Sequence, residues 1–201
     1  MFDKIINLCH NIEEAKQVGT LYHFTNADKF IHIMQENSLK PAYLQKGGYN
    51  YISFTRNPNF AKEHRKGISG LAIVFTVDGD KLSNNHKIEP YNYYNYAYKR
   101  NASNDEREER VVGSGKYRIS GVEIKDFMSY VQNITVDKQL FLKEMKTAGM
   151  ILSERKDFRD MLGLNVPDSA LERPDDSTAE YFYNAFIKYL NDKNIPYEVT
   201  E

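Results

Sequence analysis

The chain has 201 residues, with 27 Lys plus Arg against 28 Asp plus Glu, so its net charge is −1 and no whole-molecule field draws it to nucleic acid or membrane. It is 41% apolar and 27% charged, which fits one sizeable domain, alone or with a helical appendage. A single cysteine, Cys9, excludes an intrachain disulfide and a cysteine-rich zinc site, and no apolar run approaches the roughly 20 residues that span a bilayer.

The N-terminal run MFDKIINLCHNIEEAK carries acids and lacks a signal-peptide core, so a cytoplasmic setting is expected. Phe2, Ile5, Ile6, Cys9, Ile12 and Ala15 recur at helical spacing and predict a helix over 2–18, ended by Gly19. TLYHFT (20–25) is short, β-branched and aromatic, and reads as a strand. NADKFIHIMQENS follows as a helix with Asn26 as N-cap and Phe30, Ile33 and Met34 on one face. LKPAYLQ reads as extended and KGGYN as a turn. YISFTR is a strand, and NPNFAKEHRK opens a short helix on its proline.

LAIVFTVDG (71–79) is apolar nearly throughout and predicts a central, buried strand. DGDKLSNNHKIEP reads as a turn and connector, and residues 90–105 as a long polar loop. ERVV, KYRIS and GVEIKDF read as further strands. From 135 the period changes to 3.6, which predicts helices over TVDKQLFLKEMKTAGMIL, ERKDFRDMLG and STAEYFYNAFIKYLNDKN, the last with a capping box of Ser177 and Glu180. IPYEV is a candidate edge strand. The fold class is α+β, strand-rich to about residue 130 and helical over 135–194.

Three runs place polar side chains in strands that otherwise read apolar: LYHFTN (21–26), ISFTR (52–56) and EERVV (108–112). Alternation sets His23 and Thr25 against Tyr22 and Phe24, and Ser53 and Thr55 against Phe54 and Arg56. Polar residues on a core strand need partners, and a ligand is one way to supply them. Each run taken alone has a plainer reading: a structural histidine, a wet strand face, a solvated charge run. Their order along the chain is what makes a site of them.

That succession resembles the ADP-ribosyltransferase fold, in which three motifs on separate strands line one NAD cleft. LYHFTNADKFIHIMQENSLKP is similar to the opening of DarT-type DNA ADP-ribosyltransferases. YISFTRNPNF, VDGDKLSNNHKIEPY and EERVV look still closer to phage and bacterial proteins of this fold. The resemblance covers about residues 20–125 and implies a split β-sandwich with flanking helices, as one domain over 1–201. It implies an NAD-dependent transferase, of the kind found among toxins and phage effectors, and admits an antitoxin or immunity protein as a partner. By position, His23 bonds the nicotinamide-side ribose and Thr25 helps hold the cofactor, beside Tyr22 and Asn26. Ser53 and Thr55, with Phe54, shape the floor under that ribose. Arg56 joins the catalytic set and suits the pyrophosphate by its planar fork.

Glu109 is the catalytic carboxylate of this resemblance. The chain departs from the Glu-x-Glu form of the third motif, since Arg107 stands two before Glu109 whereas Glu106 stands two before Glu108. Parity alone leaves both glutamates open; Glu109 is preferred because it lies one residue deeper in the strand. A carboxylate at the ribose 2′-hydroxyl stabilises the positive charge that develops as the bond to nicotinamide breaks.

The segment YNYYNYAYKRN (91–101) holds five tyrosines, three asparagines, Lys99 and Arg100. Such a mixture suits stacking on bases and contact with phosphate, which makes Tyr93, Tyr94, Tyr96 and Arg100 the expected acceptor-binding residues and favours DNA or RNA over protein. No metal spacing occurs among the histidines. Two alternatives stay open: a non-catalytic nucleic-acid- or protein-binding module on the same scaffold, and an NAD-using RNA 2′-phosphotransferase.

Overall fold

In the computed structural model, which describes residues 18–41, 51–60, 71–91, 108–112, 122–147 and 150–201, the alternating runs become strands. TLYHFT forms β1 (Thr20–Thr25), and Ser38–Leu39 forms the short β2. Then come β3 (Tyr51–Thr55), β4 (Ile73–Asp78), β5 (Ile88–Tyr91) and β6 (Glu108–Val112). β7 (Ile124–Lys125), β8 (Val131–Asp137) and β9 (Tyr197–Thr200) complete the set. A seven-stranded sheet runs in the order β5-β6-β3-β1-β4-β8-β9, antiparallel except for the parallel β8–β9 edge; β2 and β7 pair separately. The expected helix over 2–18, the tail of NPNFAKEHRK beyond residue 60, the tyrosine-rich loop and KYRIS lie outside the described residues.

Helix α1 (Ala27–Glu36) starts at the N-cap Asn26, whose side chain accepts from the Lys29 amide, and ends at Asn37 in the left-handed region. Gly79 opens the five-residue α2 (Gly79–Ser83), a helix where the sequence pattern predicts a turn; Asp78 caps it by accepting from the Lys81 amide. Gly79 must be glycine, because its amide bonds the Gly19 carbonyl at 2.9 Å and a Cβ there would stand 2.4 Å from that oxygen. Asp80 then holds the chain entering β1, accepting from the amides of Val18 (2.7 Å) and Gly19 (3.0 Å).

The C-terminal part differs most from expectation. VQNITVD is a strand, β8, paired along β4, and the helix that follows is short: α3 (Lys138–Lys146), capped by Asp137. The period-2 alternation of Ile134 and Val136, buried against β4, outweighs the helical pattern read from Thr135 onward. Next come α4 (Leu152–Met161), an unforeseen α5 (Asp168–Glu172) and α6 (Asp176–Asp192). The cap of α6 is Asp175, accepting from the Thr178 amide at 2.7 Å, rather than Ser177. IPYEV does supply the edge strand, β9. The C-terminal segment thus contributes two strands to the sheet as well as helices.

Helices and sheet share one apolar cluster. Phe30 stacks on Phe75 and meets Phe186 edge-on; Phe141 stacks on Phe186, and Phe158 on Phe182. Burying each such ring contributes about 1.5–3 kcal/mol. This core covers one face of the sheet, the face of Leu21, Ile52, Phe54, Phe75, Val77, Ile134 and Val136.

Candidate active site

The three chemistry-bearing runs lie on three adjacent strands, β6, β3 and β1. Register places Phe54 opposite Glu109, Ser53 opposite Arg110, and Tyr22 opposite Thr55. Registered partners share a face. His23, Phe54, Arg56 and Glu109 therefore belong to the core-facing side, and Tyr22, Phe24, Ser53, Thr55 and Arg110 to the other. Glu109 is buried, on the Phe54 side. The Arg56 guanidinium donates to its Oε1 from Nε and from a terminal nitrogen, at 2.8 Å each. Arg56 is thereby paired with the carboxylate, its side chain still partly exposed.

His23 is half-buried against the rings of Phe54 and Phe75, at centroid distances of 5.6 and 6.5 Å. Its Nδ1 lies 3.0 Å from the Ser53 carbonyl. A carbonyl can only accept, so Nδ1 carries the proton and Nε2 presents its lone pair. Burial lowers the imidazole pKa, and the bond to Ser53 opposes this in part. At neutral pH His23 is thus an uncharged acceptor.

Between β1 and β3 only Tyr22 and Thr55 are in register, and a cavity of about 360 Å³ opens there. Three consecutive residues of β1 (Tyr22, His23, Phe24) and three of β3 (Ser53, Phe54, Thr55) line it. By register, Tyr22, Phe24, Ser53 and Thr55 belong to the face opposite the core, and His23 and Phe54 to the core side. Tyr51, Phe60, Leu71 and Arg110 complete the wall. The size falls in the roughly 300–1,000 Å³ range of small-molecule sites. The rings suit a planar ligand. The Arg110 guanidinium, 3.6 Å from the centroid of Tyr51, is the cationic member of the described wall.

Of the expected cofactor residues, Tyr22, His23, Ser53, Phe54 and Thr55 meet in this cavity. Thr25 is buried at the end of β1 and Asn26 caps α1; neither lines it. Glu109 and Arg56 stand beside the cavity, Glu109 one strand over, opposite Phe54, and they are not part of its wall. Thr55 also closes its own strand, its Oγ1 accepting from the Asn57 amide at 3.0 Å. The expected acceptor residues Tyr93, Tyr94, Tyr96 and Arg100 lie outside the described residues. Arg110 and Tyr51 were missed in the sequence. The signal for Arg110 is its alternation with Glu109, which becomes readable only once β6 is registered against β3.

No protein-family profile, no curated protein and no solved structure matches this chain.

Proposed function

We infer that the protein is an NAD-dependent ADP-ribosyltransferase acting on a macromolecule. The observation that carries this reading is the alignment of His23, Phe54 and Glu109 across three adjacent strands, beside a cavity where two of those strands part. The arrangement fits the ADP-ribosyltransferase-like fold that the motifs resemble, with one carboxylate and one neutral histidine on the same side of the sheet.

In this reading the cavity takes the nicotinamide-ribose half of NAD. Aromatic residues from Tyr22, Phe24, Tyr51 and Phe60 pack its planar ring. His23 accepts a hydrogen bond from a ribose hydroxyl through Nε2. Glu109 stabilises the charge that develops on the ribose once the ribose reaches from the cavity to the Phe54 side of the sheet, where Arg56 orients that carboxylate. Arg110, inside the cavity, is a second guanidinium suited to the phosphates.

A native-state ligand adds RT ln(1 + [L]/Kd), about 2.7 kcal/mol at a hundredfold excess over Kd, so NAD should raise the melting temperature and His23→Ala should remove most of the rise. Labelled NAD incubated with separate pools of DNA, RNA and protein should deliver label to one of them. An unchanged melting temperature at millimolar NAD would sink the reading. NAD binding with no transfer to any pool would favour a non-catalytic binding module.

A further inference from the structure

Arg110 stands between two strands. Opposite it on β3 is Ser53, and opposite it on β5 is Glu89. Registered partners share a face, so all three belong to the side of the sheet away from the core. Tyr51, two residues before Ser53 on β3, belongs to the same side. Two neighbours therefore compete for the guanidinium: a carboxylate on the β5 side and an aromatic ring on the β3 side. In the structure the guanidinium lies over the Tyr51 ring, its central carbon 3.6 Å from the ring centroid. Both residues line the cavity between β1 and β3. The Glu89 carboxylate is paired with Lys87 at 2.7 Å.

A ring holds a guanidinium differently from a carboxylate. A carboxylate takes N–H donors along the edge of the fork, as Glu109 takes those of Arg56. A ring takes the flat face and uses none of the five N–H groups. The edge is where a phosphate binds, through parallel N–H donors to its oxygens. Five donors are more than one partner fills, so the same guanidinium serves an anion beside another neighbour. Stacking on Tyr51 thus fixes the cation at the cavity wall while its edge keeps the geometry that an anion needs. Ser53, directly opposite Arg110 and in the same wall, adds a hydroxyl on that side.

We propose that Tyr51 is a positioning residue for the phosphates of the dinucleotide: its ring holds the Arg110 guanidinium over β3, at the cavity and away from Glu89. The assignment rests on the NAD reading above, and it gives Tyr51 a role exerted through Arg110, beyond packing against the nicotinamide ring. That role needs a flat cation as well as a ring. Lysine at position 110 keeps the charge but has neither the planar face nor the paired N–H groups. Leucine at position 51 keeps apolar bulk but has no π face. Either change should let go of the same contact.

ADP-ribose is the probe, because it carries both phosphates and lacks nicotinamide, so a change in nicotinamide packing does not reach it. Its affinity is measured by titration calorimetry, with NAD alongside. Tyr51→Leu and Arg110→Lys should each weaken ADP-ribose roughly fivefold, and the double variant should lose no more than the larger single loss, since the two residues act as one unit. Tyr51→Phe keeps the ring and should bind within about twofold of the parent. Melting without ligand checks that each variant is folded. The assignment is overturned if Tyr51→Leu binds ADP-ribose like the parent, if Tyr51→Phe loses as much as Tyr51→Leu, or if the two losses multiply in the double variant. Should Tyr51→Leu fail to fold, Arg110→Lys decides: an affinity equal to the parent's would overturn the role of the stacked guanidinium. In all these outcomes the parent still binds NAD, and the transferase reading stands. A parent that binds neither NAD nor ADP-ribose would sink the transferase reading, and this role for Tyr51 with it.

Discussion

Along its β4 flank, strand β1 is paired for its whole length, from Thr20 opposite Asp78 to Thr25 opposite Ile73, whereas along its β3 flank only Tyr22 and Thr55 are in register. The closed flank is locked twice. Phe75 packs against Phe30 and Phe127, and the buried Glu144 carboxylate accepts from the amides of Ala27, after β1, and Ala72, before β4, at 2.9 Å each. On the other flank the His23 imidazole bonds the Ser53 carbonyl and a cavity stands open. One strand thus serves as scaffold on one edge and site wall on the other. A strand can lend an edge to a ligand only if its opposite edge is held, and here the holding is done by a full ladder and a buried carboxylate.

The largest effect should come from breaking the closed flank. Phe75→Ala leaves a cavity in the core and should cost about 3–5 kcal/mol in denaturant unfolding, enough to abolish folding at moderate temperature. Glu109→Gln, beside the open flank, should leave the melting temperature within a few degrees and lower transfer by about a hundredfold, the scale of one lost electrostatic contact to a transition state. If Phe75→Ala and Glu109→Gln destabilised the protein equally, the division between scaffold and site would be wrong.

The two flanks should also titrate with opposite sign. Burial, aided by the nearby carboxylates of Asp28 and Asp137, raises Glu144 from 4.5 to about 7. Between those values the folded state holds a proton that the unfolded state has released. Stability from this group is therefore full below about 4.5 and falls as pH rises through 7, by about 3 kcal/mol in all. Glu144→Gln should flatten that slope in unfolding curves collected from pH 5 to 8. The His23 pKa is lowered, so there the unfolded state binds the extra proton. Its contribution is present above the ordinary value of 6.5 and is lost as pH falls below it. His23→Phe should erase this acid-side loss while sparing the core. An unchanged acid limb in that variant would place the titration elsewhere.

Arg110→Ala should give the smallest effect, roughly a tenfold loss in NAD affinity with unaltered stability, since one charge-assisted contact accounts for about that much. Arg56→Ala should instead act on the rate of transfer, through Glu109. A reversed pattern would return Arg56 to the phosphate role expected from its place in the sequence.

Local pattern determined a good part of this protein. Alternation in TLYHFT, YISFT, IVFTVD and EERVV marks the strands that carry the site, and Asn26 announces its helix, because side-chain period and capping depend on neighbours within a few residues. The helical face of α6 is legible for the same reason, whereas its cap is not, since Asp175 and Ser177 both suit the role. Tertiary structure alone decided that VQNITVD would be a strand, because its pairing with β4 outweighs a period that local sequence leaves ambiguous. It alone decided which flank of β1 opens, and that Glu109 would pair with Arg56 on the core side while Arg110 joined Ser53 in the cavity. Parity along a strand gives two faces but not which is which. Only the register against a partner more than fifty residues away, and the core packed on one side, assigns each side chain to its face.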